Sequence, residues 1–342
     1  MYGRRVFQTF FVALLVAYCT LLLYQSFLRG GFNEQGILNG KGGKDYRFEF
    51  NYISEDHDEM VAANKVMSEI PPAITTTLRP PTITLDDVFI SVKTTKRYHK
   101  SRLYVILKTW FQLAKEQTWF FTDSDDKDLQ NKTYGHVINT KCPASHHRKA
   151  LCCKMSVEFD AFMDTDKKWF CHFDDDNYVN VPRLVEFLKD YNPKEDWYLG
   201  KPSIQRAFEI SSKNKTSPKI KFWFGTGGAG VCISRALALK MMPAAGGGQF
   251  MRTGEKIRLP DDVTMGYIIE HLLKKPLTVV NQFHSHLEPM KFIRRELLKD
   301  QISFSYASNN IIKIEGFDIL RDPTRFLSLH CLLFPYFKFC PR

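Results

Sequence analysis

The chain has 342 residues, 44% hydrophobic and 14% aromatic, enough to bury one large core or two smaller ones and too apolar for a disordered protein. Its formal net charge of +11 would suit a nucleic-acid binder, but the lysines and arginines are scattered rather than gathered into a patch. The basic balance is compatible with an acidic or phosphorylated small ligand.

The N-terminus places Arg4 and Arg5 before an apolar run from Val6 to Leu28, about the roughly 20 residues that cross a bilayer. A cleaved signal peptide is the rival reading, but Tyr24 to Arg29 offers no convincing small-residue cleavage site. The expectation is a cytoplasmic tail (1–5), an uncleaved transmembrane signal anchor (6–28), a Gly-rich, acidic and Thr/Pro-containing stem (29–84) and a luminal domain (85–342). That topology removes nucleic acid as a partner. Seven cysteines lie downstream of the span; an oxidising lumen would pair most of them, and the odd count leaves one over. No matched CxxC pairs suggest zinc. Asn131 and Asn214 begin Asn-x-Thr glycosylation sequons, compatible with luminal exposure.

From residue 87 strand and helix patterns alternate. DVFISVKT (87–94) reads as a buried strand, and residues 98–116 place Leu103, Ile106, Leu107, Trp110 and Leu113 at helical spacing. TWFFTD (118–123) and HVINT (136–140) are strands, 146–163 is a helix and KWFCHF (168–173) another strand. Beyond a short helix near Pro182 come a strand in WYLGKPS, the Gly-rich FWFGTGGAGVCIS (222–234) running into a strand, helices in RALALKMM and DVTMGYIIEHLLKK, and a strand over 277–288 with a polar end. The order predicts an α/β fold with a mostly parallel central sheet and helices on both faces. Ligands in such sheets bind beyond the carboxyl ends of the strands.

Asp174, Asp175 and Asp176 fall at such an end. Adjacent carboxylates raise one another's pKa unless a cation compensates, so a divalent metal is one reading and a solvated acidic turn capping the next helix the other. FHSHLE supplies a candidate second ligand: on a strand, His284 and His286 point to one side, and only one need reach a metal. Carboxylate with imidazole suits manganese and related ions. In RLPDDVTMGY, Asp261 and Asp262 open a helix; one of them is expected to N-cap it, leaving the other free as a general base. FWFGTGGAG matches neither Walker nor dinucleotide spacing and is either a ligand-facing wall or a tight turn.

Taken in order, FISVKTT, HKSRL, FFTD, KWFCHFDDDNYVN, YLGKPS, FWFGTGGAGVCISRALALKM, RLPDDVTMGYI, FHSHLE and SLHC resemble the Fringe glycosyltransferases, O-fucosylpeptide 3-β-N-acetylglucosaminyltransferases, over roughly residues 85 to 342. The resemblance implies a GT-A-type fold, UDP-N-acetylglucosamine (UDP-GlcNAc) as donor, manganese, and as acceptor fucose O-linked to EGF-like repeats of Notch-type receptors and ligands, with modulation of Notch signalling. It implies a single-pass type II protein of the Golgi membrane. It makes Asp176 and His286 metal ligands, Asp175 and Arg102 donor contacts and Asp262 the catalytic base, and leaves Asp174 without a role. The family pattern pairs Cys142 with Cys153, Cys171 with Cys232 and Cys331 with Cys340; adjacent Cys152 and Cys153 leave the first pairing open. Val263 departs from the family, which usually carries cysteine after the PDD. Two other readings remain: a luminal β-1,3-glycosyltransferase with another acceptor such as O-GalNAc, and a catalytically silent protein that binds EGF repeats.

Overall fold

Strands form where the chain carries β-branched and aromatic runs with no polar face to expose. In the computed structural model, which describes residues 82–202, 204–210 and 219–341, β1 (Val88–Lys93) is buried along all but its last residue. Both of its faces are covered, as in other parallel sheets. The proposed anchor, nearly all of the stem, and Asn214 lie outside the described residues. No helix among the described residues is long and apolar enough to cross a membrane.

These residues form a seven-stranded mixed sheet of β1, β2 (Thr118–Thr122), β3 (Val137–Asn139), β4 (Trp169–Asp174), β6 (Tyr198–Gly200), β9 (Val231–Ser234) and β10 (Thr278–Val279), in the order β10-β6-β9-β4-β1-β2-β3. β1 runs parallel to β2 and β4, β2 to β3, and β10 to β6; β9 runs antiparallel to both its neighbours. β5 (Asn177–Val179) pairs with β11 (Ser303–Ser305), and β7 (Phe208–Ile210) with β8 (Ile220–Phe222), as two small antiparallel ribbons.

Alternation along β1 divides the core. Val88, Ile90 and Val92 pack with Leu103 and Ile106 of α1 (Arg102–Lys108) and with Leu184 and Phe187 of α4 (Val181–Leu188). Phe89 turns the other way, toward Phe159 and Phe162 of α3 (Arg148–Met163), Phe170, and Met241 of α5 (Arg235–Ala245). Each such ring contributes roughly 1.5–3 kcal/mol on leaving water. The short α2 (Lys127–Lys132) links β2 to β3 and carries Asn131 exposed near its end.

Several elements differ from the sequence reading. The helix expected over 98–116 stops at Lys108 and resumes as a 3-10 turn, Trp110–Leu113. At the break the Thr109 hydroxyl donates to the Val105 carbonyl at 2.8 Å, while the Trp110 indole is drawn into the core to donate to the Asn177 carbonyl at 3.2 Å. The strand expected over 277–288 is only Thr278–Val279. Past it the Gln282 carbonyl accepts from Ile302 N at 2.9 Å and Ser303 N at 3.3 Å, so the chain leaves the sheet and turns. Helix α6 (Gln249–Ile257) follows a left-handed Gly248 and was not anticipated, because its buried side is only Phe250 and Gly254.

Disulfides join Cys142 to Cys153, Cys171 to Cys232 and Cys331 to Cys340. The second links registered positions of β4 and β9, behind the carboxyl edge of the sheet, and the third closes the end of α8 (Phe326–Leu333). Cys152 is the one free cysteine among the described residues; burial, then nearby Asp261, pushes its thiol up to about 12.

Candidate active site

β9 runs against the parallel strands, so the Gly-rich segment feeding it lies at the edge where β1 and β4 end. There Gly227–Ala229 form a buried 3-10 turn. The turn is held from below, with Asn177 Nδ2 donating to the Gly228 carbonyl at 2.9 Å and Ser303 Oγ to the Ala229 carbonyl at 2.6 Å. Gly230 has φ 91° and sits where a Cβ would be 2.4 Å from the Phe173 ring, so glycine is required.

The turn is where the separate motifs meet. A Cβ on Gly227 would lie 3.8 Å from Asp262 Cβ, 3.8 Å from His172 Nε2 and 3.9 Å from Asp174 Oδ2; one on Gly228 would lie 3.2 Å from the His286 ring. The Gly-rich turn therefore brings the PDD carboxylate, beside Gly227, and the FHSHLE imidazole, beside Gly228, to neighbouring residues.

Around Asp262, α7 (Asp261–Gly266), which continues as a π turn through Tyr267–Leu272, starts from Pro260 without a side-chain cap. The expected N-cap by an aspartate is not made: Asp261 instead forms an ion pair with Lys93, and Asp262 Oδ1 accepts from the adjacent Val263 N at 2.7 Å. Val263 packs with Phe222 and Phe224 of the neighbouring ribbon and loop. Burial, then the Asp261 charge, raises the Asp262 carboxyl to about 6, near neutrality and suited to a general base.

Asp175 is the best satisfied of the three adjacent aspartates. Arg102 Nη1 donates to its Oδ1 at 2.6 Å and the Thr94 hydroxyl to its Oδ2 at 2.8 Å. Arg102 also stacks on Tyr98, 3.9 Å from the ring centroid. Asp176 has only distant partners, Arg102 Nη1 at 3.5 Å and Ser305 Oγ at 3.5 Å. Burial, then the Asp174 charge, pushes its carboxyl up to about 7. Pairing of β11 with β5 puts Ser305 opposite Asn177, and the same hydroxyl lies 3.5 Å from His286 Nδ1.

Because 280–288 is not a strand, His284 and His286 do not share a face. His284 turns inward, with Nε2 2.8 Å from Gln301 Oε1 and its ring stacked on Phe304. His286 is exposed beside Gly228, its carbonyl held by Asn310 Nδ2 at 2.7 Å.

No three acidic, His or Cys side chains among the described residues form a closed metal cage. A largely buried carboxylate with no cation nearer than 3.5 Å, sharing one hydroxyl with an exposed imidazole, is nevertheless a donor set that would fit a divalent ion. Sequence reading missed Lys93, His172, Glu158 and Ser305; the available signal was a charged or polar residue on an otherwise apolar strand or helix face.

Comparison with known proteins gives the family. The Fringe-like family model matches residues 83–337. A Fringe glycosyltransferase from Drosophila melanogaster is 67% identical over 276 residues, 79% of this chain and 67% of that protein. The β-1,3-N-acetylglucosaminyltransferase lunatic fringe of Danio rerio is 51% identical, covering 80% of this chain and 75% of its own length, and that of Homo sapiens 50%, covering 75% and 69%. The chain belongs to the Fringe-like family, in which these glycosyltransferases stand as its relatives.

Proposed function

We propose that this chain is an inverting β-1,3-N-acetylglucosaminyltransferase of GT-A type that takes UDP-GlcNAc as donor and O-linked fucose on EGF-like repeats of Notch-type proteins as acceptor. The observation that carries the reading is the convergence of Asp262 and His286 on the adjacent Gly227 and Gly228, with Asp176 and His286 both 3.5 Å from the Ser305 hydroxyl. A protein that only bound EGF repeats would have no need of a carboxylate raised toward neutrality beside such a donor set.

Asp176 and His286 would hold the divalent ion, taken as manganese. When bound, such an ion supplies Lewis-acid neutralisation of the charge on a departing diphosphate. Asp175, fixed by Arg102 and Thr94, forms with Arg102 and the Tyr98 ring the surface offered to the nucleotide. Asp262, ionised near neutral pH, accepts the proton of the fucose 3-hydroxyl as that oxygen attacks the anomeric carbon from the face opposite UDP. One inverting displacement gives the β linkage, by the logic of inverting glycosidases with a sugar hydroxyl in place of water. The cysteine pairs and the apolar N-terminal run fit a luminal domain on a type II Golgi membrane anchor.

The test is incubation of purified protein with UDP-GlcNAc and an O-fucosylated EGF repeat, with manganese present or chelated. Manganese-dependent GlcNAc transfer to fucose is expected. Transfer only to another acceptor, such as O-GalNAc, would assign a different luminal transferase, and donor binding without transfer to any acceptor would sink the enzymatic reading.

A further inference from the structure

The sheet face that packs on α3 is mostly apolar and rich in aromatic rings, but one track along it is polar. Ser91 and Lys93 of β1 lie in register with His172 and Asp174 of β4, and alternation points all four toward α3. There Glu158 Oε2 takes the Ser91 hydroxyl and lies 2.6 Å from His172 Nδ1. His172 Nε2 is 3.6 Å from Asp174 Oδ1. Lys93 Nζ is 3.1 Å from Asp174 Oδ1, 3.5 Å from His172 Nε2 and paired with Asp261.

Buried ion networks are expensive to desolvate, and apolar side chains of similar volume often serve stability as well or better. Such a track through a phenylalanine-rich layer calls for another role. Lys93 is the side chain that joins three segments: the end of β1, the end of β4 and the first residue of α7. Asp261 directly precedes Asp262, and α7 has no side-chain cap to fix its first turn. With the Lys93 pair in place, the first turn of α7 cannot rotate about its axis without breaking an ion pair in a site where the side-chain exposures are 11% for Lys93 and 5% for Asp261.

We propose that Lys93 is a positioning residue for the transfer step: its ammonium pins Asp261 to the ends of β1 and β4 and thereby holds Asp262 against the Gly227 turn, where the acceptor hydroxyl must arrive. This rests on Asp262 being the base. The side chains proposed to hold the donor, Arg102, Asp175 and Asp176, make no ion pair with Lys93.

The experiment is steady-state kinetics with UDP titration on full-length protein. Lys93→Met should lower kcat by ~100-fold, the scale of a misplaced general base, with the KM for UDP-GlcNAc and the affinity for UDP unchanged. Lys93→Arg, which keeps the charge, should recover at least about a tenth of wild-type kcat. Wild-type kcat in Lys93→Met, or a parallel loss of UDP affinity in folded protein, overturns the inference. Where Lys93→Met does not fold, the charge-balanced Lys93→Met/Asp261→Leu protein replaces the pair by apolar groups; low kcat with intact UDP binding supports the proposal, and wild-type kcat overturns it. An active Asp262→Asn protein would remove the base reading itself, whereas an inactive Asp262→Asn beside a fully active Lys93→Met removes only the role of Lys93.

Discussion

The Asp262 side and the Asp176 side of the site handle charge in opposite ways. On the Asp262 side the carboxylates of Asp174 and Asp261 have protein cations against them, and, against the desolvation that raises it, Lys93 and His172 hold Asp174 well below the usual carboxylate range. Lys93 is in turn held well above its ordinary value, the attraction of Asp174 and Asp261 outweighing burial. On the Asp176 side the one nearby cation, Arg102, is committed to Asp175 at 2.6 Å and stands 3.5 Å from Asp176. Lys93 is already shared between Asp174 and Asp261, whereas Asp176, with no cation nearer than 3.5 Å and two other oxygen or nitrogen donors at hand, is the more open to a divalent ion. On the proposed function, the first set holds the base still and the second is left to gain a ligand.

The largest expected effect separates the sides outright. Asp262→Asn should reduce kcat by ~10²–10⁴-fold, the range for loss of a general base, and leave manganese-dependent UDP binding at wild-type strength in a calorimetric titration. Equal loss of UDP binding would merge the two sides into one.

The converse substitution comes next. Asp176→Asn should weaken manganese-dependent UDP binding at least about tenfold, as expected when a metal site loses support, and should make that binding indifferent to chelator. Unchanged manganese dependence would move the ion elsewhere.

A smaller effect is read from pH. Asp262 must be ionised to accept a proton, and its carboxyl is raised to about 6. At saturating donor and manganese, kcat should therefore be flat above that pH and fall about tenfold per unit below it. A profile flat down to pH 4.5 would show that the base is another group.

The smallest effect concerns stability. Burial alone would lower the pKa of His172, but the Glu158 carboxylate at 2.6 Å outweighs it and brings the imidazole to about 9. A histidine raised above its unfolded value contributes stability that is complete below about 6.5 and is lost as pH rises through about 9. The melting temperature should fall between those limits by on the order of 5 °C, and Glu158→Gln should flatten that slope. A wild-type melting curve independent of pH there would mean that the pair is neutral in the folded protein.

Much of the scaffold could be read from the chain. Apolar runs of strand length, separated by helical spacing, located β1 through β4 and α3, and the order alone placed Asp174 to Asp176 at the carboxyl edge. The reading failed where backbone partners lie far away in sequence. Residues 277–288 read as a strand with a polar end, but the Gln282 carbonyl takes its partners from Ile302 and Ser303, and the ladder that would have set His284 beside His286 is never made. A lysine at a strand end and a glutamate within a helix likewise carry no sign that they converge.

Composition and periodicity by themselves determined an α/β domain with three carboxylates at its ligand edge, because burial pattern and residue chemistry are local properties, and the ordered motifs carried the resemblance to the Fringe family. Only the tertiary structure decided which charges are satisfied and which are not. The same three aspartates end in three different surroundings, Asp174 3.1 Å from Lys93, Asp175 2.6 Å from Arg102 and Asp176 with no cation nearer than 3.5 Å, and those distances are set by strand register and by side chains that converge from distant segments.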